Sequence, residues 1–336
     1  MVEQGTHKPL AGGSNPPSAT TPPLDALASL VVRGAGAAHI SPDARLVLAV
    51  SGGCDSMALL HGAARAAATL RPGWSLSVAH LDHALRDGSD TDADTVANAA
   101  HSLALSCEVR RVDVARLARD EGRSIEDAGR EARYRFLEEL APDGAFIATA
   151  HTADDAAETV LLNLLRGSGL SGARGIPRRR GRIVRPLIDA RRAIVREHLD
   201  HGGISYVDDP SNEDPVYLRN RVRAELLPLM EAIRPGAIDR IGAFARLAAD
   251  DDGLLDDLAA AELARRRGDG VAIDWHDPPP RALGRRILRL AIGGPAPSAE
   301  RIEAVLDAAE SERGGTLIEL GRSRAASVRE RQITLN

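Results

Sequence analysis

Short apolar runs alternate along this chain with longer stretches whose apolar positions recur every three or four residues. The runs at 45–50, 76–81, 108–112, 145–150 and 183–188 predict buried strands, with a short one at 204–207. Helical periodicity over 23–33, 56–68, 91–105, 125–140, 153–166 and 191–201 places helices before and between them. Ser124, with Asp127 three residues on, marks the start of the helix at 125–140. Repeated β-α units imply an α/β fold, a doubly wound and mostly parallel sheet covered on both faces. Ligands bind such sheets beyond the carboxyl ends of the strands, and the polar motifs of this chain fall there.

After about residue 228 the pattern becomes helical, over 236–264, 280–291 and 299–311, and ends in a pair of runs at 315–320 and 326–335 that predict a β-hairpin. Three regions follow: a polar tail at 1–23, expected to be disordered; an α/β domain at 24–228; and a smaller, mainly helical domain at 229–336. With 336 residues and 43% hydrophobic content, there is material for one sizeable core and a lesser one. The formal net charge of −5 does not announce a nucleic-acid binder. Between Arg166 and Arg196, however, ten arginines face one acid, Asp189, a local net of +9. Such a patch suits a polyanion, although a solvated face is its plain alternative. Two cysteines, Cys54 and Cys107, with no CxxC pair, argue against zinc-ribbon, iron–sulfur and sulfur-relay chemistry. No signal-peptide layout and no apolar stretch of about 20 residues is present, so a soluble cytoplasmic protein without membrane partners is expected.

The run at 45–50 leads directly into Ser51-Gly52-Gly53-Cys54-Asp55-Ser56. A strand, a turn with two glycines and a helix start form a cradle for phosphate, to which the two serine hydroxyls add donors. A Walker-type loop needs a lysine, and the single lysine of the chain, Lys8, lies in the polar tail, so a lysine-dependent P-loop enzyme is excluded. The second strand ends in Ala79-His80-Leu81-Asp82-His83, and the fourth in His151-Thr152-Ala153-Asp154-Asp155, with Glu158 one helical turn beyond Asp155. Asp155 and Glu158 share a helix face, and with Asp55 they offer oxygen ligands for Mg²⁺ against nucleotide phosphates; acidic capping of a helix start is the alternative. Arg130 and Arg133 are spaced to face a phosphate together, or to pair with Glu126 and Glu131. Arg166 opens a glycine-rich loop, and Tyr217, Arg219, Arg221 and Arg223 combine an aromatic with a basic helix suited to RNA.

The segments SGGCDS at 51–56, AHLDHALR at 79–86, GREARY at 129–134, TAHTADDAAETVLLNLLRGSG at 149–169 and DPSNEDPVYLRNRVR at 209–223 resemble the N-type ATP pyrophosphatase, or PP-loop, superfamily, and within it the tRNA-isoleucine lysidine synthetases. The resemblance is strong over about 40–230 and implies an adenine-nucleotide alpha hydrolase-like fold with a tRNA-contacting C-terminal domain. It further implies that ATP adenylates the carbon-2 oxygen of the wobble cytidine in tRNA(Ile) with a CAU anticodon, releasing pyrophosphate, and that free L-lysine then displaces AMP. On the matching positions, Ser51, Gly52, Gly53, Cys54, Asp55, Ser56, Ala79, His80, Arg130 and His151 would bind ATP, and Asp55 and Asp155 would hold Mg²⁺. Asp55, Asp155, Glu158 and Arg133 would be catalytic, the carboxylates serving the incoming amine and Arg133 the phosphate. Arg166, Arg174, Arg178, Arg179, Arg180, Tyr217, Arg219 and Arg221 would contact tRNA, and a homodimer is compatible with the pattern. Thr152 stands where the family often has histidine, and Ala156 where it often has glutamine. tRNA thiolation, a small-molecule amidotransferase-linked synthetase and a non-catalytic RNA-binding module are the competing readings; the first lacks a cysteine pair, the second leaves the basic stretch without a polyanion, and the third leaves the signature loop idle.

Overall fold

The computed structural model describes residues 23–84, 89–207, 217–267, 272–294, 297–311, 315–321 and 323–336. The tail, apart from Pro23, lies outside the described residues, as does the turn expected around Asp209. The chain forms two compact units, one of residues up to 167 with 175–243, the other of 168–174 with 244–336.

The first unit contains the strands β1 (Arg45–Ala49), β2 (Ser75–Asp82), β3 (Ser106–Arg111), β4 (Phe146–Ala148), β5 (Arg179–Arg180) and β6 (Ile183–Val184) in the order β3-β2-β1-β4-β6-β5. All neighbours run parallel except the final pair, β5 and β6. The helices are α1 (Pro23–Ala37), α2 (Cys54–Thr69), α3 (Ser89–Ser102), α4 (Val114–Glu121), α5 (Ile125–Leu140), α6 (Ala153–Leu165) and, past the short α7 (Leu170–Ala173) of the other unit, α8 (Arg192–His201).

Alternation along each strand decides which face a side chain serves. Leu46 and Leu48 of β1 join the core built from α1, α2, α3 and α8, whereas Val47 joins Phe136 and Leu137 of α5 on the opposite face. Leu48, Leu59 and Leu60 are fully buried, each stabilising the fold by roughly 1.5–3 kcal/mol relative to exposure. α1 passes so close to the backbone at Pro186 that a Cβ on Gly34 would lie 1.7 Å from its carbonyl oxygen, so only glycine fits there.

β1 leads outward to β2 and β3, while β4 leads the other way to β6. The chain reverses between β1 and β4, and the loops leaving these two strands open a crevice at their carboxyl ends, the place where such sheets take ligands.

Several expected elements change in detail. The run at 183–188 pairs only over β6, because Pro186 offers no N–H and 185–190 turns back on itself through Ile188 N–H to the Arg185 carbonyl (3.2 Å). The strand at 204–207 reduces to a bridge between Val207 and Gly53. α4 was not anticipated, although Asp113 caps it at the Arg116 N–H (2.9 Å) and Gly122, at φ +62°, ends it.

Past α6, the helix α9 (Leu218–Arg221), a π-helical turn Val222–Leu226 and α10 (Leu227–Ile233) follow one another without a break. Val222, Leu227 and Ile238 cover Ala157, Leu161 and Leu162 of α6. Ile238 belongs to α11 (Ala237–Arg267), whose first turns lie in the first unit and the rest in the second.

The second unit holds α12 (Arg281–Ile292) and α13 (Ala299–Glu310), packed with a four-stranded antiparallel sheet around Trp275, Ile287, Leu306 and Ile333. Its strands are β7 (Ile273–Asp274), β8 (Thr316–Gly321), β9 (Arg324–Arg329) and β10 (Gln332–Leu335), in the order β7-β10-β9-β8. The expected hairpin thus becomes a meander with an added edge, because Glu330 and Arg331, at φ +48° and +56°, insert a tight turn into the run 326–335. Asp252 of α11, fully buried, accepts from Ser171 Oγ (2.8 Å) and pairs with Arg174 (3.0 Å) and Arg286, fastening segment 168–174 within this unit.

Candidate active site

The loop leaving β1 is held in shape by its own polar atoms. Ser56 Oγ donates to the Gly53 carbonyl (2.8 Å) and accepts from the Ser51 N–H (3.2 Å), and Gly52 turns the chain at φ +90°, a conformation that disfavours any side chain. The Val207 N–H fixes the loop from outside at the Gly52 carbonyl (3.0 Å). Buried His80 donates from Nδ1 to the Val50 carbonyl (2.8 Å), tying the end of β2 to the entrance of the loop. Among the described residues no side chain hydrogen-bonds as a cap at Gly53, the start of α2, and the helix dipole there favours an anion.

Across the crevice, the loop leaving β4 starts α6 with Thr152, whose N–H and Oγ1 both donate to Asp155 Oδ2 (2.8 and 2.9 Å). Asp155 is 7% exposed and Glu158 wholly buried. Three guanidiniums converge on this acidic pair. Arg192 donates to Asp55 Oδ2 (2.9 Å), Asp155 Oδ1 (2.8 Å) and Glu158 Oε1 (3.2 Å). Arg219 donates to Glu158 Oε2 (3.0 Å), and Arg223 grips both Glu158 oxygens (2.7 and 3.0 Å). Asp154 Oδ2 takes the Arg192 N–H (2.7 Å) and so places the start of α8. The cluster is an ion-pair network of three carboxylates and three guanidiniums, in which every buried charge has a charged neighbour.

Burial alone would raise the Asp155 pKa, but Arg192, the Thr152 N–H, His151 and Arg219 hold it at about 2. Asp55 moves the other way, raised chiefly by burial against the pull of Arg192, with Asp155 adding to the rise. Its Oδ1 is buried without a hydrogen-bond partner. Among the described residues no three His, Cys, Asp or Glu side chains form a complete metal cage. Two carboxylates, one with an unused oxygen, nevertheless fit Mg²⁺, which takes most of its other ligands from phosphates and water.

His151, hydrogen-bonded to Thr149 Oγ1 (3.0 Å), and His83 are both lowered to about 4, in each case chiefly by burial. Unfolding returns them to the ordinary 6.5, so the unfolded chain binds more protons between these values. Their contribution to stability is therefore whole above pH 6.5 and falls as the pH drops toward 4, by about 1.4 kcal/mol per pH unit per histidine. Urea unfolding at pH 5 and pH 7 checks this: the midpoint should fall at pH 5, and His151→Gln should shrink the difference.

The PP-loop domain model matches residues 28–230. The chain belongs to the PP-loop family. Relatives include proteins named tRNA(Ile)-lysidine synthase from Geobacter sulfurreducens, 40% identical over 81% of this chain and 60% of that protein, and Salinispora arenicola, 42% identical over 73% and 74%. A third, from Thermus thermophilus, is 42% identical over 67% of this chain and 43% of its own length, so this PP-loop chain spans only about half of some of the relatives it matches. The U34-tRNA thiolase NcsA from Methanococcus maripaludis, with its [4Fe-4S] cluster, shares the fold at a TM-score of 0.55 and 16% identity, over 66% of this chain and 78% of that one.

Of the residues singled out in this PP-loop sequence, the structure brings Ser51 to Ser56, His80, His151, Asp155 and Glu158 to the crevice, with Ala79 in the core beneath. Arg133 donates to His83 Nε2 (3.0 Å). The basic stretch divides. Arg178 pairs with Asp189 (2.5 Å), Arg179 lies over Phe146 and donates to the Gly181 carbonyl (3.0 Å), Arg174 binds Asp252, and Arg166 ends α6 exposed. Tyr217 is exposed, Arg221 pairs with Glu225 (3.0 Å), and Arg219 turns inward to Glu158. Arg192 was not singled out, and Arg223 was read only as part of a basic helix suited to RNA; the four-residue spacing of Arg219 and Arg223 was the available signal that they act together.

Among the described residues no helix is long and apolar enough to cross a membrane.

Proposed function

We propose that this chain makes lysidine, joining free L-lysine to carbon 2 of the wobble cytidine in an isoleucine tRNA with a CAU anticodon at the expense of ATP. The observation that carries the reading is the buried acidic pair Asp155 and Glu158, opposite the phosphate loop and surrounded by guanidiniums, a site already built for cationic nitrogen. The names of the relatives at 40% and 42% identity support the same substrate.

In the first step the cytidine carbon-2 oxygen attacks the α-phosphorus of ATP and pyrophosphate departs. The amides at the start of α2 and the Ser51 and Ser56 hydroxyls would hold the leaving group. Asp55 and Asp155 are the residues that would hold Mg²⁺, which when bound neutralises charge on the phosphates. Arg133 would face the phosphate of the adenylated base. In the second step the ε-amine of lysine attacks carbon 2, and AMP leaves with the C–O electron pair. Asp155 and Glu158 would hold the ammonium, and its proton would leave to a carboxylate within reach or to water before the amine attacks.

A cleft beside Glu158 is lined by Arg191, Arg192, Leu227, Glu231 and Ile238. Its apolar wall between opposite charges suits the aliphatic stem and the two charged ends of free lysine, and Arg191 keeps its Nε buried without a hydrogen-bond partner there.

The test is incorporation of labelled lysine into transcribed tRNA(Ile) bearing CAU, with ATP and Mg²⁺, against tRNA(Met). Label in the isoleucine tRNA alone is expected. No label, with ATP still cleaved to AMP and pyrophosphate, would overturn lysine as the nucleophile and point to sulfur or another amine.

A further inference from the structure

A group of arginines gathers around Tyr134, apart from the acidic cluster. Tyr134 of α5 has the Arg130 guanidinium at 5.2 Å and that of Arg180 at 5.9 Å from its ring centroid. Arg185, 3% exposed, lies beside the Tyr134 hydroxyl and donates from Nη1 to the Pro177 carbonyl (2.7 Å), while its Nε is buried without a hydrogen-bond partner.

Among the described residues, none of these three arginines has a carboxylate partner, although Arg178, Arg192, Arg219, Arg221 and Arg223 each have one. Burial lowers the Arg185 pKa, and Arg180 and Arg130 push it further down. Like charges held together around a buried donor call for an anion. The loop at 51–56 already serves the triphosphate, and Arg180 and Arg185 are carried on the β6 side of β4, across the sheet from that loop. Asp155, Arg185 and Arg130 all lie near enough to His151 to act on its charge, so the arginine group is close to the acidic cluster. Guanidiniums stacked on an aromatic ring also suit a nucleic-acid backbone better than a free nucleotide tail.

We propose that Arg130, Arg180 and Arg185, gathered around Tyr134, bind one backbone phosphodiester of the RNA beside the nucleotide that reacts. This rests on the reading of tRNA as substrate. The phosphodiester fixes the register of the loop, so that the base following from it falls between the phosphate cradle and Glu158.

Arg130 and Arg180 are exposed, so replacing either with alanine leaves the core intact. The full chain is titrated by fluorescence anisotropy with an RNA stem-loop carrying CAU, over a range of KCl. Each variant should bind roughly tenfold more weakly, with the slope of log K against log salt reduced by about 0.7–0.9. Stem-loops with a single neutral methylphosphonate should cost the wild type the same factor at one linkage, and Arg180→Ala nothing further at that linkage. An unchanged slope, or equal losses at every linkage, overturns the proposal. A raised KM for ATP with unchanged RNA affinity reassigns the arginine group to the nucleotide and overturns the proposal too. Wild type failing to bind the stem-loop would instead sink the tRNA reading itself, and so separates the two failures.

Discussion

Glu158→Gln is expected to lower lysine transfer by on the order of 10³-fold while leaving RNA affinity within a few-fold. Glutamine keeps the shape but not the charge, and Glu158 accepts from Arg192, Arg219 and Arg223 at once. Without its carboxylate, three guanidiniums face two acids, and an incoming ammonium meets net positive charge. Single-turnover assays should show the first step persisting, with pyrophosphate released, and the second failing. Lysine transfer at the wild-type rate would remove Glu158 from the chemistry. The stability cost stays below the roughly 3–5 kcal/mol of a fully buried broken pair, because Arg219 is 39% exposed and can turn to water.

Asp55→Asn should act one step earlier, reducing RNA-dependent pyrophosphate release by a similar factor, on the order of 10³. Burial and Asp155 raise the energy of its carboxylate in the ligand-free enzyme, and its Oδ1 has no partner to relieve it. A cation carried in with ATP would satisfy that oxygen, whereas asparagine offers no charge to bind it. Pyrophosphate release at the normal rate, with lysine transfer lost, would move Asp55 to the second step. Together the two variants would separate the two ends of the cluster into two successive steps.

How much of this was legible beforehand differs from one residue to the next. α5 runs over Ile125–Leu140 as expected, since Ser124 at its cap and the acids in its first turn are local signals. The reversal between β1 and β4 was legible only as a fold class, because strand order depends on pairing across distant segments. Within the arginine-rich stretch, composition treats every guanidinium alike. Arg178, Arg180 and Arg192 part company only when the turn after β6, strand β5 and the start of α8 bring them beside Asp189, Tyr134 and Asp155 respectively. Thr152, marked in the sequence as a departure from the family pattern, proves to be the residue that locks Asp155 in place, a role its hydroxyl and N–H fulfil without a second histidine.

The pairing of β1 with β4 also bears on how the chain is made. Leu46 waits for Phe146, and Glu158 waits longer still for Arg219 and Arg223. On the ribosome, Asp155 and Glu158 are synthesised before any of the three arginines that neutralise them. Until those arrive, the acidic face of α6 has no guanidinium to pair with, which favours its hydration and a late closure of the crevice. The order of synthesis thereby favours pairing of the sheet before Arg192 joins the loop leaving β1 to the start of α6.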